Sequence, residues 1–359
     1  MRRATAQVAT RVVKGARTQL AVRVWYGTAS LGSVPVVPGS WQVSDSDDQQ
    51  VPGELRFDVP DRPEWRPTSP AHPLAGMGQR AVVHQGVDVG NRVEWLPMGV
   101  FRLSAPTRSD DVLSVSGAGM LAGVERARLL APYVAPKGAT RAGVLGALIG
   151  GMVPWRLVGV TDEKLPSFTC ERERLEGVRE IIDGWPARLA MTDSGVLEVR
   201  PPYDDANPGP AVVELVDGPG GTLVSVVSQP DTASMFNGYS VSTQPEGDQQ
   251  PVTESWVMPS GPLAWSGPYG QSPGFFTAPS LPADRVRLRA VAQMMTLRAG
   301  RRRDAYEVTA APDPRVQVGD VAHVRSTAQG IDITGRVTQV THTRTQLRAT
   351  VAFLSGVRV

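Results

Sequence analysis

The chain has one cysteine, Cys170, in 359 residues. It cannot form an intrachain disulfide, and without a CxxC pair there is no thiolate set for structural zinc. Excess charge is also scarce. Against 37 Lys and Arg stand 35 Asp and Glu, a net +2, too balanced to draw the chain to nucleic acid or an anionic membrane by its overall field. Long apolar runs are missing as well. The longest, Gly143 to Trp155, is broken by four glycines and a proline and falls short of the roughly 20 apolar residues that span a bilayer. Met1 to Gly15 scatters Arg2, Arg3, Arg11 and Lys14 among short Val and Ala groups, which is not the pattern of an export signal.

Histidine is sparse, and the constellations that carry chemistry are absent. His72 and His84 lie in a proline loop and a strand, His323 and His342 in strands, without GxSxG or a Cys–His context. His323 and His342 lack a carboxylate cluster for a metal and are expected to be exposed strand residues. Ser44-Asp45-Ser46-Asp47-Asp48 lacks the glycine and terminal glutamate of an EF-hand loop and reads as a solvated turn. Glu171, Glu173 and Glu176 alternate with Arg172, Arg174 and Arg179, the pattern of an exposed helix rather than a glycosidase carboxylate pair. Gly218-Pro219-Gly220-Gly221 is followed by neither Lys-Ser nor a helix, so it is not a phosphate cradle. No catalytic, metal-binding or cofactor-binding residue is assigned, no cofactor is implied, and the chain reads as non-enzymatic.

What is plentiful is glycine (37) and proline (31), on a background of 41% hydrophobic residues. That balance favours many short strands joined by tight turns over long helices, and the length allows two to four cores. The expected class is mainly β with α+β insertions: two antiparallel β-barrel-like domains plus a small α+β domain. Period-two alternation marks strands at Leu20, Val22, Val24 and Tyr26, at Leu55, Phe57 and Val59, and at Phe101, Leu103, Leu113 and Val115. Turns fall at Gly27 to Gly32 and at Ser109-Asp110-Asp111. Asp61 to Pro73, with four prolines and Trp65, reads as an irregular covering loop. These features make residues 1–125 a first barrel-like domain.

Residues 126–204 change character. Thr140 caps a predicted helix carrying Val144, Leu145, Leu148 and Ile149, and Leu175, Val178, Ile181 and Ile182 stripe a second. A hairpin turning at Asp193-Ser194-Gly195 follows, before Pro201 and Pro202. Residues 205–359 read as a second barrel-like domain, with strands at 223–227, 239–241, 306–309, 321–325, 331–340 and 347–353. An insertion at about 256–303 interrupts it. Its first part, Trp256 to Pro282, is an aromatic, Gly- and Pro-rich irregular excursion; then a helix opens at Pro282, runs through Val286, Ala290, Val291 and Met294, and ends beside Arg301, Arg302 and Arg303. Trp256, Trp265, Tyr269, Phe275 and Phe276 concentrate in this insertion. They are candidate interface or glycan-contact residues, since aromatic faces serve both roles.

Trp95-Leu96-Pro97-Met98-Gly99-Val100-Phe101, the hairpin ending Gly195 to Pro201, Met235-Phe236-Asn237-Gly238-Tyr239, Gly267-Pro268-Tyr269-Gly270 before Phe275-Phe276, and Pro312-Asp313-Pro314 before Val318-Gly319-Asp320-Val321 follow one another in a fixed order. In that order they resemble the baseplate-hub or minor tail proteins of actinobacterial phages. The resemblance implies a homotrimer whose two similar β domains per subunit form a pseudo-sixfold ring. That ring would join the tail tube or distal tail protein to the tip or spike, with the tape-measure protein as a further partner. It implies residence in the virion tail after assembly in the bacterial cytoplasm; charge and apolar runs add the expectation of no specific nucleic-acid binding and no membrane span. The sequence to Val359 offers no appended lysozyme, peptidase or fibre domain, so wall digestion is expected of another protein. Two other readings differ in what they require: a carbohydrate-binding receptor module needs the aromatics on one face, and a tail-associated cell-wall hydrolase needs an acid–nucleophile pair or a metal.

Overall fold

The computed structural model describes residues 1–185, 187–204, 207–228, 235–244, 250–278, 281, 283–300 and 305–353. Pro282, expected to open a helix, and Arg301, Arg302 and Arg303 lie outside the described residues.

The chain begins with α1 (Ala6–Val13), then β1 (Thr18–Tyr26), β2 (Ala29–Val34), β3 (Gln42–Ser46), β4 (Glu54–Pro60), β5 (Gln79–Asp88), β6 (Val93–Leu103), β7 (Thr107–Ser109) and β8 (Val112–Gly119). Next come α2 (Ala122–Arg126), β9 (Tyr133–Val134), α3 (Arg141–Ile149), β10 (Trp155–Leu157), β11 (Thr169–Cys170), α4 (Arg174–Asp183), β12 (Arg188–Met191) and β13 (Leu197–Arg200). The last part holds β14 (Val213–Val216), β15 (Leu223–Ser228), β16 (Gly238–Thr243), β17 (Thr253–Val257), β18 (Pro273–Ala278), α5 (Arg285–Gly300), β19 (Ala305–Ala310), β20 (Val321–Ser326), β21 (Ile331–Thr343) and β22 (Leu347–Phe353). The fold is mainly β, as expected. Its strands lie in one 14-stranded sheet and three small ones.

Alternation decides which faces are buried. Along β4, Leu55, Phe57 and Val59 point inward with Val22, Val24, Val83, Phe101 and Val115, forming one core. Val308, Val324, Val337, Val340, Leu347 and Val351 build the equivalent core near the C-terminus. Asp110 takes a left-handed conformation, φ 45°, at the β7–β8 turn, where the sequence Ser-Asp-Asp asked for one. The proline loop is tied down: Asp61 accepts from Arg66 and Arg108, buried Gln79 donates to the Pro70 and His72 carbonyls, and Trp65 packs on the core.

The two β regions repeat one topology. Antiparallel ladders run β3–β4–β8–β6–β5 in the first and β15–β19–β22–β21–β20 in the second. Taken in chain order, β3, β4, β5, β6 and β8 recur as β15, β19, β20, β21 and β22. Strand β7 continues β6 past Pro106 and pairs with the first residues of β8, as the last residues of β21 pair with the first of β22. The repeats are also joined: β21 pairs antiparallel with β3, from Gln339 opposite Ser46 to Thr343 opposite Gln42.

Between them lies the small α+β unit, whose core gathers Leu145, Leu148, Phe168, Val178, Ile181 and Trp185. Thr140 caps α3 by accepting from the Gly143 N–H at 3.2 Å, and Gly150 closes it in the left-handed conformation. Arg141 is buried, donates to the Ile181 carbonyl at 3.0 Å and stands over the Trp185 ring; burial pushes its pKa down to about 10.

Three details depart from the sequence reading. The N-terminal segment forms α1, because Val8 and Val12, one helical turn apart, bury against Val87, Val89 and Leu96. The excursion after Trp256 is not irregular throughout: β17 and β18 flank β16 in a three-stranded sheet. In α5 the inward stripe is Leu288, Val291, Ala292 and Met295, while Val286 is 79% exposed.

Helices α3 and α4 approach closely at Gly177, where an added Cβ would stand 2.8 Å from Cys170 Sγ and 3.1 Å from Leu148 Cδ1. Gly177→Val should destabilise the α+β unit by about 1–3 kcal/mol, the cost of overpacking a filled core, measured by urea unfolding; an unchanged midpoint would contradict this packing.

Candidate functional site

The five aromatics singled out from the sequence sit in and beside the β16–β18 sheet, but they do not share a face. Trp256 and Phe276 point towards α5 and pack with Val241 and Leu288. Phe275, one residue on, points the opposite way and is 77% exposed. It lies opposite Ser240, which pairs with Ser255 on the other side. Trp265 lies over Gly238, where a Cβ would stand 2.7 Å from the indole. The Tyr269 hydroxyl donates to the Met235 carbonyl at 3.2 Å. Buried Asn237 holds this part together, donating to the Gly270 and Leu263 carbonyls and accepting from the Ser272 N–H. Phe275 alone of the five projects freely from the sheet, and Tyr269 is partly exposed.

The densest polar cluster lies elsewhere, where the two β repeats and the α+β unit meet. Arg2 forms a two-pronged ion pair with Asp193, at the tip of the β12–β13 hairpin, and donates to the Pro314 and Val316 carbonyls. Gln317 donates to the same carboxylate at 3.1 Å. The Met1 amino group meets Asp320. One arm thus links residues from the start, middle and end of the chain.

A second cluster centres on Tyr203, which is held between two guanidinium groups, with Arg188 3.8 Å and Arg336 4.2 Å from the ring centre. The tyrosine hydroxyl crosses so close to Gly319, φ 90°, that a Cβ there would clash at 2.4 Å. The Asp-rich run is only in part a turn: Ser44, Asp45 and Ser46 lie in β3, while Asp47 and Asp48 turn the chain after it. Asp45 belongs to β3, where burial raises its pKa, and burial lifts that of Asp47 to about 6. Asp47, Asp183, Arg179, Arg188 and Arg298 line a cleft of about 330 Å³ between the β sheet, α4 and α5.

The two strand histidines differ from expectation and from each other. His342 is buried on β21, and desolvation together with nearby Arg2 pushes its pKa down to about 3. His323 lies between Asp332 and Glu214, each 2.8 Å from a ring nitrogen, and these hydrogen bonds raise its pKa. Among the described residues no group of three or more His, Cys, Asp or Glu side chains is placed to hold a metal ion, and no helix is long and apolar enough to cross a membrane. Arg2 and Tyr203 carry no motif that would have marked them in the sequence, and Asp193 stands out there only as a turn residue.

The histidine contrast sets the pH response. A folded-state pKa near 3 means the unfolded chain binds a proton that folded His342 refuses, so between about pH 6.5 and 3 stability falls with falling pH, by at most about 1.4 kcal/mol per unit. Asp47 acts in the opposite sense between about pH 6 and 4, because its raised folded pKa takes up a proton before the unfolded chain does. Replacing His342 with Asn should flatten the acid side of the stability curve. In an NMR titration, His323 should titrate above 6.5 and lose its stabilising charge as pH rises through that value, while His342 should not titrate from pH 5 to 8. Identical titrations for the two would contradict these surroundings.

No family model and no curated protein matches the chain. Among solved structures it is similar to the tail protein from Neisseria meningitidis MC58, with a TM-score of 0.62 at 15% identity over 92% of this chain and 96% of that one. It is also similar to the prophage MuSo2 43 kDa tail protein from Shewanella oneidensis, with a TM-score of 0.58 at 9% identity over 92% and 98% of the two chains. A third is the prophage tail protein gp18 from Listeria monocytogenes EGD-e, with a TM-score of 0.57 at 10% identity over 93% and 94%. At these identities the likeness is one of fold, and over nearly its whole length the chain has the fold of these tail proteins.

Proposed function

We propose that the chain is a structural hub subunit of a phage-type tail tip, assembling as a homotrimer into a ring that joins the tail tube or distal tail protein to the tip or spike. The observation that carries this reading is the repeated β topology within one chain, its two copies joined edge to edge through β3 and β21. Three such chains present six similar β units, which reconciles a sixfold tube with a threefold tip by rotational symmetry alone. The likeness in fold to tail proteins supports the same role. The partition into residues 1–125, 126–204 and 205–359 is part of this proposal, with the α+β unit filling the angle between the repeats. In this reading the chain acts by assembly, not chemistry, and burial between copies supplies the stability. The tape-measure protein is a further candidate partner, and the site of action is the virion tail.

The aromatic segment is assigned to packing and subunit contact in preference to glycan binding. Trp256 and Phe276 are committed to the α5 core, on the opposite face of the sheet from exposed Phe275, so these three do not form one sugar platform.

Light scattering on the purified chain should give three times the mass of one chain. A monomer that binds glycans on an array, or that degrades cell wall, would contradict the hub reading.

A further inference from the structure

We propose that the outer edge of β15 pairs antiparallel with the outer edge of β7 in a second copy of the chain. This rests on the hub reading and names the surface through which copies would meet.

The argument begins with the junction the chain makes internally. Strand β3 has β4 on one edge and β21 on the other. Its counterpart in the second repeat, β15, has β19 on one edge and, among the described residues, no strand on the other. The last residues of β21 have β22 on one edge and β3 on the other. Their counterpart, β7, has β8 on one edge and, among the described residues, no strand on the other. Each repeat thus owns both halves of the same contact. Among the described residues of one chain, the pair β3 and β21 is joined and the pair β15 and β7 is left over.

The ladders also fix the register. Arg108 lies opposite Leu113 as His342 lies opposite Leu347, so Arg108 occupies the place of His342. Ser228 lies opposite Tyr306 as Val43 lies opposite Leu55, so Ser228 occupies the place of Val43. Since His342 faces Val43 and Thr343 faces Gln42, Arg108 should face Ser228 of the next copy and Ser109 should face its Val227.

The chemistry of the two edges fits a strand partner. Soluble proteins blunt a free edge with lysine, proline, inward charge or a bulge; Leu223–Ser228 has no lysine, proline or charge, and its register shift is confined to Leu223–Ser225, which leaves Val226–Ser228 regular. Val224 is 73% and Val227 54% exposed. All three β7 residues are exposed, and the one charge among them, Arg108, is drawn aside to Asp61 at 2.6 Å. The contact is heterologous, since the two edges differ, and such contacts generate closed rings when the rotation closes. Around a trimer, β3–β21 and β15–β7 ladders would alternate and leave neither of these edges open.

The test is site-directed cross-linking of the full-length chain carrying Ser109→Cys and Val227→Cys, with a short bis-maleimide; Cys170 is buried and should stay silent. Covalent dimers and trimers are expected, at least tenfold above either single variant alone. Mixing the two single variants should give dimers and nothing larger. Arg108→Cys with Ser228→Cys, the adjacent pair, should behave alike and guards against a misfolded first variant. A trimer by light scattering that neither pair cross-links would overturn the edge contact and leave the hub reading standing. A chain that remains single would overturn both. Covalent ladders running past the trimer would support the edge contact and contradict the closed ring.

Discussion

A β-strand leaves half its peptide groups unpaired at a sheet edge, and the rest of this structure depends on how those edges are satisfied. Two β units of the same topology could have folded as separate bodies on a linker. Instead β21 extends past the end of β20 and takes β3 along its remaining length, turning two sheets into one. The pairing joins residues from opposite ends of the sequence, so it carries a loop-closure cost that the five residue pairs of ladder offset in part.

The surrounding side chains supply the remainder. Arg2, Asp193 and Gln317 knit the N-terminal arm, the α+β hairpin and the segment before β20. Tyr203 is clamped between Arg188 and Arg336. Buried charges of this kind are costly unless each has its partner; beside the seam, burial raises the pKa of Asp45, lifts that of Asp47 to about 6 and pushes that of His342 down to about 3. Polar groups in such a seam favour one arrangement over its neighbours: a slip by one residue would bury the wrong face of every strand beyond it.

Much of this could be read from the sequence wherever the signal is local. Alternation located the long strands, the stripes at Val144 to Ile149 and Leu175 to Ile182 located α3 and α4, and Asp193-Ser194-Gly195 located the hairpin. What stayed hidden was non-local. The repeat is one of topology rather than residues: Gln42–Ser46 and Leu223–Ser228 share no pattern, so nothing in the chain announces that β3 and β15 are counterparts. Helix α1 rests on two buried valines in a short segment of mixed polar and apolar residues. Strands β17 and β18 lie in glycine- and proline-rich sequence and exist because β16 offers an edge on each side. His342 lies two residues from Val340 and shares its buried face of β21, although a histidine in a strand suggests exposure. The aromatic segment was visible as a cluster, but adjacent strand residues point to opposite faces, so Phe275 and Phe276 could not have shared one.

The most direct test of the central claim, that the repeated β unit is a device for building a ring, is the rotational symmetry of the assembled protein in cryo-electron microscopy end views. The account predicts threefold symmetry with six similar β lobes around a central opening, two from each chain and adjacent. Particles of twofold symmetry, or threefold particles in which only one β unit per chain reaches the ring, would contradict it.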